Sequence, residues 1–246
     1  MIILFSPSES KTQLDGYSSI CKESFIFQDQ YAKRIEAVKI YNEYINSNSI
    51  DSLLDIFGIK DIEKIQEYQK NIFEAATCPA IKRYSGVSYS YLAYDTLNQN
   101  AKYYILNNVI IFSNLFGPVS AGDKIPYYKL KQGAKIGSFT FEQFYRDNFS
   151  SALDKYIDNQ EIVDLRAGFY EKFYKIKKKY TTFKFIKQGK VVSHFAKAYR
   201  GIILKLMAEN NILESKDIIS HFPESLEVID TTIKGFKEEF ILNILD

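Results

Sequence analysis

Apolar residues follow two rhythms along this chain. Short unbroken runs, "MIILF" (1–5), "NVIIF" (108–112) and "EIVDL" (161–165), predict strands buried on both faces. Between them the spacing changes to three and four. Ala32, Ile35, Val38, Tyr41 and Ile45 predict a helix over 30–45, and similar patterns predict helices over 96–106, 139–157 and 196–210. The stretch 49–73 contains two helical patterns that meet at Gly58, a helical hairpin. "AIKRYSGVSYSYL" (80–92) predicts a strand that runs into a turn at Gly86 and a short helix. Two β-like runs flank Gln188-Gly189, and 226–230 and 236–245 predict further strands. Residues 8–27 and 113–130 predict loops, the second too long and too varied for a plain connector. With no repeat or linker in view, the pattern predicts one α+β domain over 1–246. A mixed sheet is flanked by helices, and 49–76 forms a peripheral helical sub-element.

Composition narrows the class. At 246 residues and 46% hydrophobic content, the chain has ample material for a core. Its two cysteines, Cys21 and Cys78, match no metal or redox spacing, and no leader pattern is visible, which predicts a reduced, cytoplasmic protein. No run approaches the ~20 apolar residues of a membrane span. The sequence lacks a Gly-rich phosphate fingerprint, a nucleophile elbow and a zinc helix, and it offers two histidines, His194 and His221. Neither a metal centre nor a bound cofactor is expected. Charge is uneven, however. Glu171 to Lys205 holds eleven basic residues and one acidic, a local +10 in a chain of +2, so the remainder carries −8.

Polar clusters follow several predicted strands: Ser6, Ser8, Glu9 and Lys11; Arg83 and Tyr84; Asp123, Tyr128 and Lys129; Asp164, Arg166 and Tyr170; Ser193, His194, Lys197 and Arg200. Strand ends of this kind converge on one crevice in sheets flanked by helices, which predicts a polar, positively biased pocket. Glu9 and Asp164 are the candidates for a general base, with the arginines and lysines as anion partners.

Two features suit DNA. The turn Gly58, Ile59 and Lys60 has the form that presents backbone amides to a phosphate. In "EKFYKIKKKYTTFKFIKQGK", Lys177, Lys178 and Lys179 could neutralise phosphates between aromatics. DNA is thus the expected partner and a nucleotide-like small molecule the alternative ligand, while oligomeric state is not legible.

The segments "ILFSPSESK", "RYSGVSYSYL", "SNLFGPVSAGDKIPYYKLK", "VDLRAGFYEKF" and "VVSHFAKAYRG", in this order, resemble the YaaA family of bacterial peroxide-stress proteins. The closest resemblance is to the branch reading Pro-Ser-Glu-x-Lys, here Pro7 to Lys11. Gly117, Asp123, Ile125, Pro126, Tyr128 and Leu130 match the family's loop motif, whereas Ser120-Ala121 stands for its Arg-Pro, Lys129 for an arginine, Ala167 for a serine and Arg200 for a lysine. The resemblance implies a cytoplasmic DNA-binding protein with a helix-hairpin-helix element and a positively lined cleft. It also implies a role in limiting free iron and oxidative DNA damage.

Overall fold

The computed structural model describes residues 1–245, apart from the side chains of Ser193 and His194. The chain enters through β1 (Ile2–Phe5), whose four residues are all buried, as the unbroken apolar run requires. Residues 8–27 form no long element. The helices α1 (Tyr31–Ser47), α2 (Ile50–Phe57) and α3 (Ile65–Tyr68) follow. Next come β2 (Thr77–Pro79), α4 (Ala80–Arg83), α5 (Val87–Leu92) and α6 (Gln99–Asn108). The second core strand, β3 (Val109–Ser113), turns at Gly117 into β4 (Gly117–Ser120), and β5 (Lys124–Pro126) pairs with β2. A two-residue pair, β6 (Lys135–Ile136) and β7 (Phe139–Thr140), precedes α7 (Phe141–Tyr156). The remainder comprises β8 (Ile162–Leu165), β9 (Tyr180–Lys187), β10 (Lys190–Val191), α8 (Ser193–Glu209), β11 (Leu226–Lys234) and β12 (Lys237–Ile244).

Among the described residues, eight strands build the main sheet in the order β11-β12-β9-β8-β1-β3-β4, with β10 beside β9. The pairs β1–β3, β1–β8, β8–β9 and β9–β12 are parallel, while β3–β4, β9–β10 and β11–β12 are antiparallel. The molecule is therefore α+β with a mixed sheet. Because β3 lies on one side of β1 and β8 on the other, the chain order reverses at β1. A crevice opens beyond the carboxyl ends of the strands at such a reversal. Helix α8 lies against α5, α6 and β9, and α7 against β4 and α1.

Two expectations change. Residues 80–83 are helical, and the short strand lies just before them, because Ala80 and Ile81 direct their amides to Asp123 O and Ala121 O (2.8 and 3.0 Å). The loop 113–130 contains two strands. Pro118 is tolerated in β4 because that strand is the sheet edge, where a missing N–H interrupts no further ladder. Gly117, at φ +65°, is obligatory there: a Cβ would lie 2.2 Å from the Tyr145 ring.

Candidate functional site

A cavity of about 360 Å³ sits where the topology predicts, beyond β1 and β8. Its wall is assembled by specific contacts. The Ser6 hydroxyl accepts the Ala167 amide (2.8 Å), tying the exit of β1 to that of β8, and Ser6 O accepts the Tyr89 hydroxyl (2.9 Å) from α5. Gly86 starts α5 at φ +105°, and a Cβ there would stand 2.7 Å from the Ser8 hydroxyl. Only glycine lets the loop after β1 come this close. Gly201 does the same for α8, since a Cβ would lie 2.0 Å from Ser88 O. With α5 and α8 in backbone contact, and the Ser88 hydroxyl bonded to Lys197 O (2.7 Å), Lys197 and Arg200 are carried to the cavity wall.

These two cations give the cavity its electrostatic character. Arg200 is half-buried, and desolvation pulls its guanidinium below the usual range while Asp164 opposes the shift. Among the described residues it makes no hydrogen bond or ion pair, and neither does the Lys197 ammonium. Arg200 also borders a second cavity of about 270 Å³, lined by Asp164, Glu171, Lys184, Lys237 and Glu239, so its side chain lies in the partition between the two. A half-buried guanidinium that feels Asp164 only through its charge, while Arg166 holds both oxygens of that carboxylate, gains from a ligand that brings oxygens of its own.

Along another side, Glu9 accepts the Gln132 amide (3.0 Å) and lies 3.8 Å from the Lys129 ammonium, clasping the loop 129–132 to the loop after β1. Lys11 bends back to donate to Ser8 O and Glu9 O (3.2 and 3.4 Å), with its ammonium 4.1 Å above the Tyr128 ring and 5.4 Å from that of Tyr84. Burial first, then the nearby Lys129 and Arg83, push its amine down to about 7, with Glu9 opposing. Beneath it the Tyr84, Tyr128 and Ser113 hydroxyls form a buried chain (2.9 and 2.8 Å). Burial raises Tyr128 to about 12, so these phenols stay protonated.

Other expected site residues hold the frame. Arg83 is fully buried, and each of its three nitrogens already has a protein partner, in Ile125 O, Thr12 O and Asp15. Asp123 accepts from Ser120 N, the Ser120 hydroxyl and Ile26 N, and burial lifts it to about 6 against those bonds. Arg166 grips Asp164 through two 2.8 Å contacts and donates also to Tyr170 O and Tyr174 O. With both oxygens of Asp164 engaged, Glu9 has the freer carboxylate. Tyr170 lines the main cavity. Ser193 and His194 lie outside the described side chains. Ser88, Tyr89, Gly86 and Gln132 complete the site; the first three stand within "RYSGVSYSYL", but their role depends on how α5 meets α8.

The expected DNA contacts are arranged differently from the cavity. In the turn after α2, Gly58 N bonds to Asp55 O and Ile59 N to Leu54 O, so both amides close the helix end. The second helix has only four residues, and Asp61 already accepts from the Glu63 amide in front of it. Residues 49–76 hold six acids and three bases, and Lys60 stands among them. Lys177 pairs with Asp154 (2.9 Å), Lys178 caps α7 through Ile157 O and Gln160 O, and Lys179 pairs with Glu238 (3.2 Å). These three lysines precede β9 and lie at the amino end of β8, opposite the cavity. The +10 segment therefore splits: Lys197 and Arg200 face the cavity, and the lysine run faces the other end of the sheet. Among the described residues, no helix is long and apolar enough to cross a membrane, and no three His, Cys, Asp or Glu side chains gather as a metal site.

Comparison with known proteins identifies relatives over most of the chain. A family model described as "Peroxide stress protein YaaA" matches residues 1–227. An uncharacterized protein of Campylobacter jejuni is 50% identical over 246 residues, all of both chains. UPF0246 proteins of Corynebacterium efficiens and Corynebacterium glutamicum are 33% and 31% identical, covering 85% and 89% of this chain and 85% and 91% of their own. On these grounds the chain belongs to the YaaA peroxide-stress protein family, among relatives named UPF0246.

Proposed function

We propose that this protein acts in the peroxide response by binding DNA, with a phosphate-bearing part of the strand entering the cavity beyond β1 and β8. The observation that carries this reading is Arg200, a half-buried guanidinium that makes no hydrogen bond or ion pair among the described residues, beside Lys197. A phosphate meets the need of both: two oxygens for the planar fork of Arg200 and charge for the ammonium of Lys197. On this reading the protein helps to limit oxidative DNA damage and the free iron that drives it. The hairpin 49–76, with its acidic surface and closed turn, and Lys177 to Lys179, on the far side, serve as outer contacts at most.

Affinity for duplex and single-stranded oligonucleotides, measured in wild type and Arg200→Gln, tests the reading. Losing a charge-assisted contact lowers affinity by about tenfold or more, and the slope of log affinity against log salt by about 0.7–0.9. Unchanged affinity and slope would refute it. A second reading, an enzyme acting on a nucleotide or modified base, is favoured by Glu9, a carboxylate at the cavity edge.

A further inference from the structure

We propose that the cavity beyond β1 and β8 and the smaller cavity beside it form one site for two successive nucleosides of an unpaired DNA strand, with the phosphodiester between them held at Arg200. This deepens the reading of the first cavity as a phosphate site and rests on it.

The two hollows share a wall, and the alternation of an extended chain builds it. Along the exit of β8, Asp164, Arg166 and Gly168 border the cavity of about 270 Å³, while Leu165 and Ala167 border the cavity of about 360 Å³. Helix α8 closes the wall from the other side. Ala196 borders the smaller cavity and Lys197 the larger; Arg200, four residues after the first and three after the second, lies beside both on the helix surface. Among the described residues, Arg200 is the one side chain that borders both cavities. The wall contains a second arginine, Arg166, but Asp164 already fills its fork. A ligand that occupies both cavities therefore crosses the wall where Arg200 is the available cation.

Each side of the wall suits a nucleoside. Both volumes lie near the low end of the ~300–1,000 Å³ of small-molecule sites, room for one nucleoside apiece. The smaller cavity sets Phe185, Val192 and Ala196 against Lys184 and Glu171, a donor and an acceptor that make no hydrogen bond or ion pair among the described residues. A base has the matching make-up, a flat face for stacking and an edge of donors and acceptors. In the larger cavity Tyr170 supplies a ring and Gln132 an amide. The link between two nucleosides suits the wall itself, since a phosphodiester presents two free oxygens to the planar fork of an arginine. A duplex does not fit. Its neighbouring bases stack about 3.4 Å apart, which leaves no room for a peptide chain and a guanidinium between them.

Calorimetry with the full chain tests the proposal on three ligands: the dinucleoside phosphate of thymidine, and the 3′- and 5′-methyl phosphates of thymidine. All three carry one phosphodiester charge, and only the first carries two nucleosides. The expected result is dinucleotide binding at least about tenfold tighter than that of either methyl ester, with the advantage lost in Gly168→Leu. The nearest atom to a Cβ at position 168 is Glu171 Oε1, at 3.9 Å, so the leucine side chain has room to grow into the smaller cavity. Single-stranded oligothymidine displaces the dinucleotide, and the same strand annealed to its complement does not. Equal affinities for the three ligands, all lowered in Arg200→Gln, overturn the two-cavity site and leave the phosphate site standing. A dinucleotide advantage that survives Gly168→Leu overturns it too. Displacement by strand and duplex alike, or by neither, overturns the unpaired strand. Absence of binding, or affinities untouched by Arg200→Gln, overturns the phosphate reading as well.

Discussion

Replacing Lys11 by methionine should make the protein more stable in acid and change little in alkali. The amine falls from its ordinary 10.5 to about 7 because the folded chain buries it. Below about pH 7 the amine is protonated in the folded and unfolded chains alike, and the folded state bears the full cost of the buried charge. Between about pH 7 and 10.5 the unfolded chain still holds a proton that the folded chain has released, so stability climbs with pH. At about 1.4 kcal/mol per pH unit the ceiling on this cost is about 5 kcal/mol. Lys11 keeps part of its surface in water, and screening reduces the figure to roughly 2 kcal/mol. Methionine matches the length of the stem and removes the charge. Urea unfolding at pH 6, 7.5 and 9 should therefore show Lys11→Met ahead by about 2 kcal/mol at pH 6, with the gap narrowing as pH rises. A variant less stable than wild type by the same margin at every pH would refute the reasoning, since the lysine would then contribute packing and no buried charge.

Arg166→Met should cost about 3–5 kcal/mol, because it leaves Asp164 buried and unpaired; chemical denaturation measures this, and a loss under about 1 kcal/mol would contradict the frame role. Gly201→Ala drives a Cβ into Ser88 O and must separate α5 from α8, so it should cost more than about 3 kcal/mol and weaken ligand binding as well. Asp123 ionises near 3.8 when unfolded and near 6 when folded, so its contribution to stability is present in acid and lost as pH rises from about 4 to 6. Asp123→Asn should remove that downward slope, as read from melting temperatures across the range.

Much of this fold was legible because its central strands carry the simplest signal. Residues 2–5, 109–113 and 162–165 are buried on both faces and read as unbroken apolar runs, and α1, α7 and α8 show their inward stripe. Residues 80–83 and 117–126 were not legible. Prolines and glycines in or beside these stretches interrupt the local pattern, and it is pairing between β2 and β5 and between β3 and β4, with the Ala80 and Ile81 amides bonded to Asp123 O and Ala121 O, that gives them structure. In the site, the convergence of Ser6, Ser8, Glu9, Lys197 and Arg200 could be read from their positions after strands. Which charges close on each other could not. Arg83 looks as available as Arg200 in the sequence, yet its partners, Thr12 O, Ile125 O and Asp15, are groups that only the folded chain brings near. The lysine run shows the converse. Composition groups it with Lys197 and Arg200, and the parallel pairing of β8 with β9 sends it to the opposite end of the sheet.

The central claim is that Arg200 and Lys197 receive a phosphate in the cavity beyond β1 and β8. A crystal structure of the protein with a short oligonucleotide carrying a 5′-phosphate tests it most directly. The account predicts a phosphate in that cavity with its oxygens about 3 Å from the Arg200 guanidinium. An oligonucleotide lying instead along Lys177 to Lys179, with no phosphate near Arg200, would contradict it.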